Sequence, residues 1–427
     1  MNRKSNNKWA MLLAMLTIVT GFACTNQKKS DEQIAEQAVE EIEVSQDELE
    51  ALALALPKYN QVENFHEGLA AVCDKETTLW GFIDKTGKEV IPCLYQYIPV
   101  EFNEGVAIVC TTDERMQIID HEGKVIAPFD YVYKGDGFHD GLIAFVEVND
   151  IGEDGEIDWQ HWGKAGFIDT KGKVVIPADT YDVMMGEGPL ISNFSDGLCR
   201  QNLDGKCVYI DTKGKVVIEC NSSFGDDFSE GLVAVWKFNE SKDEYFYGFI
   251  DKTGKEVIPH QFTTVGSFSE GLCFVSGKGK SGFIDKNGKW VIEGDYQVLR
   301  LYEDTEGEED LCPNFSEGLA WVCNSEGKFG YIDKTGKTAV PFRYEPGYSE
   351  ESEWFEEQPC YDFKGGIARV WDKATKMYGF IDREGKEVFP CQFDGAEDMS
   401  EGLALINRGG QYGFIDAKGN CTLDLKK

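Results

Sequence analysis

The chain has 427 residues, of which 42% are hydrophobic and 12% aromatic, and it carries a formal net charge of −34. This composition is typical of a globular protein. The strong negative charge repels nucleic acids and anionic lipid headgroups, and therefore argues against a protein that binds polyanions. It leaves a cationic partner, a metal ion or simple solubility open.

The first 23 residues have the pattern of an export signal. Basic residues in MNRKSNNK precede the apolar run WAMLLAMLTIVTGFA, which has the length of a signal-peptide core and is short for a membrane span. Ala23 and Cys24 at its end resemble the lipobox of bacterial lipoproteins, in which the cysteine is lipidated and becomes the mature N-terminus. The alternative is an ordinary cleaved signal with no role for Cys24. The resemblance implies lipidation at Cys24 and a place in the cell envelope, at the outer membrane, on its periplasmic or surface face.

Residues 24–57 are acidic and contain no aromatic side chain, which is typical of a tether. Ser30 followed by Gln33 is a capping-box pattern, and Ile34, Ala38 and Ile42 fall on one face of a helix. We therefore predict a short, partly helical tether that is attached to the membrane only through the lipid anchor. No helix is predicted elsewhere.

Two short motifs recur along residues 58–427. The block G-F/Y-I-D-x-x-G-K appears in GFIDKTGKEVIP at residues 81–92, again at residues 248–259, and in nine copies when two without the leading glycine are counted. Each copy follows a variant of F-x-E/D-G-L/V, also present nine times. The chain is therefore predicted to repeat one structural unit nine times.

Each unit has the pattern of short strands joined by tight turns. In the first unit, LAAVCD, LWGFID and KEVIPCL are apolar or alternating runs rich in β-branched and aromatic residues. Asp84 is expected to accept hydrogen bonds from turn N–H groups, and Gly87 to adopt a positive φ. A lone hairpin is marginal in water, so the units must stack to bury their aromatic faces. The predicted fold is an all-β tandem array of about nine antiparallel three-stranded units, arranged as a propeller-like ring or an open spiral.

These motifs together resemble the WG-repeat, or KWG-repeat, family of bacterial and often exported proteins. The Trp-Gly pair that names the family is Trp80–Gly81, and the resemblance extends from Asn64 to Asn420. It implies an all-β repeat array with a binding or scaffolding role, and it implies no reaction and no cofactor.

Three insertions of acidic and aromatic residues interrupt the repeat, at residues 148–164, 301–312 and 344–360. Insertions in repeat arrays map to loops, and loops on a rigid scaffold often carry binding residues. Acidic groups beside exposed rings suit a cationic peptide, a protein partner or a sugar. The alternative is neutral drift in exposed loops. The candidate binding residues are Trp159, Trp162, Tyr302, Tyr348, Trp354 and Phe355.

The first insertion also contains a weak calcium candidate. Asp150, Asp154 and Asp158 alternate with glycines in DIGEDGEID. The stretch fails as an EF-hand loop, because Gly152 occupies the third position and His161 the last.

No catalytic signature is present. The stretch GKGKSG is followed by another hairpin where a dinucleotide site needs a helix, and none of the five histidines lies in an H-E-x-x-H motif. The cysteines recur at equivalent places of the repeat, so we predict that most are packing residues and that one or two disulfides form.

The sequence thus predicts a non-catalytic, envelope-anchored binding or scaffold lipoprotein without a cofactor, whose ligand is a protein or a glycan contacted through the insertions. One alternative is a carbohydrate-active enzyme or enzyme subunit. A pair of clustered, buried carboxylates with perturbed pKa values in a cleft would favour that alternative. The other alternative is a purely structural spacer.

Overall fold

A computed structural model describes residues 44–129, 131–133, 137–147, 164–182, 184–185, 189–190, 192–220, 226–239, 244–303, 307–348 and 355–425. These residues all belong to one compact body. We number the repeat units 1 to 9 by their F-x-E/D-G motifs in chain order.

The strands follow the repeat. Units 1 and 2 contain β1 (Tyr59–His66), β2 (Leu69–Asp74), β3 (Trp80–Asp84), β4 (Glu89–Asn103), β5 (Val106–Thr111), β6 (Met116–Ile119) and β7 (Val125–Pro128). Units 3 and 4 contain β8 (Val132–Tyr133), β9 (Leu142–Glu147), β10 (Lys164–Asp169), β11 (Val174–Asp182), β12 (Met184–Met185), β13 (Pro189–Leu190), β14 (Leu198–Leu203), β15 (Lys206–Asp211) and β16 (Val216–Glu219). Units 5 and 6 contain β17 (Leu232–Asn239), β18 (Glu244–Asp251), β19 (Glu256–Phe262), β20 (Thr264–Val265), β21 (Leu272–Gly277), β22 (Lys280–Asp285) and β23 (Trp290–Gly294), after which come β24 (Leu299–Glu303) and β25 (Gly307–Leu311). Unit 7 contains β26 (Leu319–Cys323), β27 (Phe329–Asp333) and β28 (Thr338–Tyr344), after which come β29 (Gly347–Tyr348) and β30 (Phe355–Glu357). Units 8 and 9 contain β31 (Ile367–Asp372), β32 (Met377–Asp382), β33 (Glu387–Phe393), β34 (Gly395–Ala396), β35 (Ala404–Arg408) and β36 (Gln411–Ile415).

The small antiparallel sheets confirm the predicted fold class. Three-stranded sheets β17-β18-β19, β26-β27-β28 and β31-β32-β33 form units 5, 7 and 8. Unit 6 has an additional short first strand and the order β20-β21-β22-β23. Units 1 and 2 share one seven-stranded sheet, because β4 is both the last strand of unit 1 and the first strand of unit 2.

Two kinds of turn join the strands within a unit. In unit 1, Glu67 and Gly68 have φ of 51° and 84° and connect β1 to β2, which is the backbone of a two-residue type I′ hairpin. After β3, Asp84 Oδ1 accepts from the N–H groups of Thr86 at 2.9 Å and Lys88 at 3.1 Å, and Gly87 has φ of 72°. Both expectations for the second turn are therefore confirmed.

The glycine of the G-F-I-D block is required by a close approach between strands. A Cβ on Gly81 would lie 2.5 Å from the carbonyl oxygen of Ile91, because β4 bulges towards β3 at this point. The same contact at Gly248 is 2.6 Å. Glycine thus permits a bulge that turns the last strand of the unit.

Unit 1 is packed between its two neighbours, so its strand β2 has no exposed face. All six residues of β2 are buried, with Ala71 in a cluster shared with unit 2 and Val72 in a cluster shared with unit 9. Alternate side chains of a strand point to opposite faces, which explains this division. Among the described residues there are nine hydrophobic clusters, and each lies between two successive units.

The array closes as a ring. The rings of Phe65 in unit 1 and Phe414 in unit 9 have centroids 5.0 Å apart, similar to the 4.8 Å between Phe82 and Phe102 in units 1 and 2. The Ser400 hydroxyl donates to the carbonyl of Phe65 at 2.6 Å, and Ser269 makes the same bond to the next unit. The last unit therefore contacts the first unit as any unit contacts its successor, and of the two predicted arrangements the ring is formed.

Helix α1 (Gln46–Ala55) covers the junction of units 9 and 1. Ser45 and Glu48 form a capping box at its start, and a short 3-10 turn at Leu56–Lys58 leads into β1. Leu49 and Leu52 pack into the cluster shared by units 9 and 1. The expected capping box at Ser30 and the apolar positions Ile34, Ala38 and Ile42 lie outside the described residues. The end of the expected tether is thus part of the packed body.

Candidate functional site

The aspartates of the G-F-I-D block hold the turns that follow them. Oδ1 of each accepts from the backbone N–H groups two and four residues further on, at Asp84, Asp120, Asp169, Asp211, Asp251, Asp285, Asp333, Asp382 and Asp416. In the part of the chain that the structure describes, no group of His, Cys, Asp and Glu side chains could hold a metal ion. The repeat aspartates are therefore structural.

The acidic residues of the F-x-E/D-G motifs link each unit to the next. Each carboxylate accepts from the glycine N–H of the following motif, an arrangement that we call a clasp. The clasps join Glu67 to Gly105, Glu104 to Gly141, Asp140 to Gly197, Asp196 to Gly231, Glu230 to Gly271, Glu270 to Gly318, Glu317 to Gly366 and Glu401 to Gly68. In several clasps the carboxylate also forms an ion pair with a lysine that directly follows a repeat aspartate. Lys334 lies 3.0 Å from Glu270, and Lys85 lies 3.1 Å from Glu401. These polar residues too are used within the ring.

The junction of units 8 and 9 replaces its clasp with another set of contacts. Gly365 stands where the carboxylate belongs, and Ala417 stands where the cation belongs. In their place the carboxylate of Asp398 forms ion pairs with Lys364 (Nζ to Oδ2, 3.1 Å) and with Arg369 (Nε to Oδ1, 3.3 Å). The Arg369 guanidinium also lies 3.8 Å from the centre of the Tyr361 ring.

Three carboxylates that precede the F-x-E/D-G motifs have raised pKa values. Burial, followed by the charge of Glu63, raises the pKa of Glu101 to about 7, although its side chain keeps 31% of its exposure. Burial and Asp398 raise the pKa of Asp362 to about 6. Burial and Glu397 raise the pKa of Glu63 as well. The carboxyl groups of Glu101 and Asp362 therefore exchange protons close to neutral pH, which is the property required of a general acid or base.

Most of the predicted site residues, including half of the predicted binding residues, lie outside the described part of the chain. These are Trp159, Trp162 and Trp354, the calcium candidates Asp150, Asp154 and Asp158, and the lipidation site Cys24. Tyr302, Tyr348 and Phe355 lie in β24, β29 and β30.

The second and third insertions form one sheet, whereas loops were expected there. Its strand order is β25-β24-β30-β29, and Leu301 pairs in parallel with Phe355, which in turn pairs with Tyr348. The backbones of Tyr302, Tyr348 and Phe355 are thus brought into a single sheet that joins the insertions after units 6 and 7. The prediction of separate loops was wrong because strand pairing between distant segments leaves no signal in either segment alone.

An exposed aromatic hairpin in unit 5 was not recognised from the sequence. Strands β17 and β18 have eight residues each and place Trp236 opposite Tyr247 and Phe238 opposite Tyr245. The ring of Tyr245 lies 4.5 Å from that of Trp236 and 4.9 Å from that of Phe238. Phe238 and Tyr245 are 46% and 51% exposed.

The opposite face of this hairpin carries its charges. Lys237 alternates with Trp236 and Phe238 along β17 and lies 3.4 Å from Glu256, which is 2.9 Å from His260. Burial, followed by the charge of Lys237, lowers the pKa of His260. The alternation of aromatic residues in VWKFNESKDEYFYG was the available signal, because period-two aromatic positions on both sides of a polar turn indicate one aromatic face of a hairpin.

The twelve cysteines after Cys24 all lie in the described part of the chain, and seven of them are buried. Their burial fits the prediction that most are packing residues. The one or two disulfides that were expected are not present among the described residues.

No helix among the described residues is both long enough and apolar enough to cross a bilayer. No curated protein matches the chain.

Known structures resemble the chain in fold. A structure of the eukaryotic initiation factor matches with 10% identity and a TM-score of 0.53, and the match covers 81% of this chain and 92% of that chain. The computationally designed Ika8 protein matches with 12% identity and a TM-score of 0.41, over 75% of this chain and 96% of that chain. BamB from Moraxella catarrhalis matches with 11% identity and a TM-score of 0.35, over 73% of this chain and 93% of that chain. Only the first of these TM-scores is above 0.5, so only that match supports an argument. At 10% identity the match concerns the fold alone.

A protein-family model described as "WG containing repeat" matches residues 55–76, 80–113, 166–207, 209–237, 247–280, 282–304, 329–345 and 378–412. These segments make up more than half of the chain and include the Trp80–Gly81 pair. The chain therefore belongs to the family of WG-repeat proteins.

Proposed function

We propose that this chain is a non-catalytic binding or scaffold protein of the bacterial cell envelope, exported and lipidated at Cys24, whose ligand is a protein or a glycan. The supporting observation is that the polar side chains of the repeat form their bonds within the ring, while some aromatic side chains stay exposed. The polar residues of the repeat form turns and clasps, whereas Phe238 and Tyr245, which belong to a single unit, are 46% and 51% exposed.

The aromatic hairpin of unit 5 is the described surface that fits this function best. Large aromatic side chains that stay half exposed in a packed protein often mark a contact surface. Trp236, Phe238 and Tyr245 present flat apolar rings that can stack on a sugar ring or fill a cleft in a partner protein. The strands beneath them belong to a closed ring, so little conformational entropy is lost on binding.

The three insertions extend the proposed contact surface. Tyr302, Tyr348 and Phe355 lie in the sheet that joins two of the insertions, and their segments are acidic. The acidic composition favours ligands that present cationic groups near their contact points.

The test is binding of the mature full chain to two defined fractions of the envelope, soluble polysaccharide and detergent-solubilised protein. We expect the double variant Phe238→Ala/Tyr245→Ala to weaken binding to one fraction by about 10-fold or more, because interface aromatic residues contribute disproportionately to affinity. Tyr97→Ala is the matched control, since Tyr97 is 46% exposed in another unit.

The two ligand classes are separated by treating the extract before capture. Loss of binding after protease treatment identifies a protein, and loss after periodate oxidation of vicinal diols identifies a glycan. Equal binding by wild-type chain and double variant would refute the hairpin as the contact surface. Absence of binding to either fraction would favour the structural spacer.

A carbohydrate-active enzyme is the second candidate, because Glu101 and Asp362 have pKa values of about 7 and about 6. Glycoside hydrolysis requires a protonated carboxyl group beside an ionised one, and a raised pKa supplies the first. Release of reducing sugar from envelope polysaccharide, abolished by Glu101→Gln or Asp362→Asn, would establish this candidate. No release by the wild-type chain would exclude it for those substrates.

A further inference from the structure

Unit 4 departs from the repeat at two positions that lie next to each other in space. Val208 replaces the glycine of the G-F-I-D block, and Glu219 replaces the proline found in the last strand of unit 1, Pro92. In unit 1 the corresponding Gly81 faces a bulge, and the ladder between β3 and β4 shifts register between Trp80 and Phe82.

The side chain of Val208 is incompatible with such a bulge. A Cβ at the glycine position of unit 1 would lie 2.5 Å from a backbone oxygen of the bulged strand. In unit 4 the ladder runs without a shift through the pairs Val208↔Glu219 and Tyr209↔Ile218, as it does in unit 6, where Glu293 likewise stands in place of the proline. Unit 2, which has Gln117 at this position, also pairs regularly through Gln117↔Pro128 and Ile118↔Ala127.

The regular ladder places two cysteines opposite each other. Cys207 precedes Val208 and Cys220 follows Glu219, and the N–H of Cys220 donates to the carbonyl of Cys207 at 3.0 Å. The neighbouring Cys207 side chain, followed by burial, raises the pKa of the Cys220 thiol. In unit 1 the bulge pairs Trp80 with Tyr95 and so passes over Cys93. In unit 8 it pairs Tyr378 with Phe393 and passes over Cys391.

The spacing of the opposed backbones suits a disulfide. Directly opposed residues of antiparallel strands have Cα atoms about 4.5–5.5 Å apart, and disulfides join Cα atoms about 4.4–6.8 Å apart. Cys207 is 6% exposed and Cys220 is half-buried, so a reactant reaches the pair from the side of Cys220. Both side chains contact the cluster shared by units 4 and 5.

We propose that Cys207 and Cys220 form an intramolecular disulfide by exchange with a disulfide donor, either a small-molecule disulfide or an oxidised dithiol protein. The Cys220 thiolate attacks one sulfur of the donor and expels the other as a thiolate. The Cys207 thiolate then attacks Cys220 in the mixed disulfide and expels the second donor sulfur. The two cysteines are oxidised, the donor takes up two electrons, and the two thiol protons pass to solvent or to the released thiolates.

The bond does not depend on the proposed function. It forms with a chemical donor in solution, and only its persistence in the cell requires an oxidising compartment such as the one implied by export. Contact with Cys207 and burial raise the pKa of the Cys220 thiol, so the exchange is expected to accelerate as the pH rises. Once formed, the bond ties β15 to β16 beside the contact with unit 5.

The test is non-reducing peptide mapping of the reduced full chain after incubation with oxidised glutathione. We expect a crosslinked pair of peptides containing Cys207 and Cys220, lighter than the sum of the free peptides by two hydrogen atoms. Cys73 and Cys93 serve as an internal control, because they are equally part of the repeat pattern but are not opposed. Cys207 and Cys220 found only as free thiols, as glutathione adducts, or bonded to other cysteines would overturn the proposal.

Thermal unfolding gives an independent readout. Oxidation should raise the unfolding midpoint of the wild-type chain and of Cys391→Ser by about 2–4 °C, because the crosslink restricts the unfolded chain. It should leave the midpoint of Cys220→Ser unchanged. A rise of the same size in Cys220→Ser would contradict the assignment, and peptide mapping of the unsubstituted chain decides the question if that variant fails to fold.

Discussion

Replacing Glu401 by alanine should destabilise the ring at the contact between its first and last units. The Glu401 carboxylate accepts from the N–H of Gly68 at 3.0 Å and lies 3.1 Å from Lys85 Nζ. The side chains of Lys85 and Glu401 are only 17% and 24% exposed, so water replaces these contacts poorly. A hydrogen bond to a charged group contributes about 1.5–3 kcal/mol, and a partly exposed ion pair adds less than about 1 kcal/mol.

We therefore expect Glu401→Ala to lower the free energy of unfolding by about 2–3 kcal/mol. The matched control is Glu104→Ala. Glu104 makes the same clasp to Gly141 at 2.7 Å, but it is exposed and Thr170 stands in place of the cation. We expect Glu104→Ala to lower the free energy of unfolding by only about 1 kcal/mol. Both residues have positive φ, at 52° and 53°, so replacement by alanine leaves the backbone strain of the two sites comparable.

The assay is equilibrium unfolding in urea followed by tryptophan fluorescence, with the thermal midpoint as a second measure. A double-mutant cycle with Lys85→Met isolates the ion pair, for which we expect a coupling of about 0.5–1 kcal/mol. Two results together would refute the reasoning that the clasp between the terminal units stabilises the closed ring. Glu401→Ala and Glu104→Ala would lower the free energy of unfolding equally, and the double-mutant cycle would show no coupling between Glu401 and Lys85.

Three further changes test the packing and the titration of the ring. Gly248→Ala should cost about 1–3 kcal/mol, because the new Cβ meets a backbone oxygen at 2.6 Å. Gly231→Ala, which meets nothing within 4 Å but has φ of 87°, should cost about 1 kcal/mol, and a reversed order in urea unfolding would contradict the role of the bulge. Leu52→Ala in α1 should cost about 2–5 kcal/mol because Leu52 is fully buried, whereas Leu54→Ala, at 85% exposure, should be neutral; similar thermal midpoints for the two variants would show that the helix does not stabilise the ring. Burial raises the folded-state pKa of Glu101 to about 7 from its ordinary value of 4.5, so the folded chain binds more protons than the unfolded chain between these pH values. This group therefore lowers the free energy of unfolding as the pH rises through that window. Glu101→Gln should therefore be more stable than the wild-type chain by on the order of 1 kcal/mol at pH 8 and equal to it near pH 4, and a difference independent of pH would refute the assignment.

The elements that the sequence predicted well are those formed by residues close together in the chain. Asp84 and Gly87 define their turn within four residues, and both were assigned correctly. The short strands were found for the same reason, since alternating apolar residues give a local signal. The two degenerate copies were also visible in the sequence, but the regular ladder of unit 4 required the close approach of two strands to be known.

The candidate site was predicted less well. The aspartates of the first insertion, together with Trp159, Trp162 and Trp354, lie outside the described residues, and their proposed roles stay predictions. Tyr302 and Phe355 lie in strands because segments that are far apart in sequence pair with each other. The exposed rings of Phe238 and Tyr245 were overlooked because their exposure depends on the length of one hairpin relative to the units around it.

By itself, the sequence determined the unit: the turn held by Asp84 and Gly87, the short strands, and an apolar pattern that a single unit cannot bury. The tertiary structure decided how the units are joined. Glu401 holds Gly68 across 333 positions of the chain, and Phe65 packs on Phe414 across a similar separation. A turn is encoded by neighbours in sequence, whereas closure of the ring depends on the small rotation between successive units summed over the whole array, which no single repeat specifies.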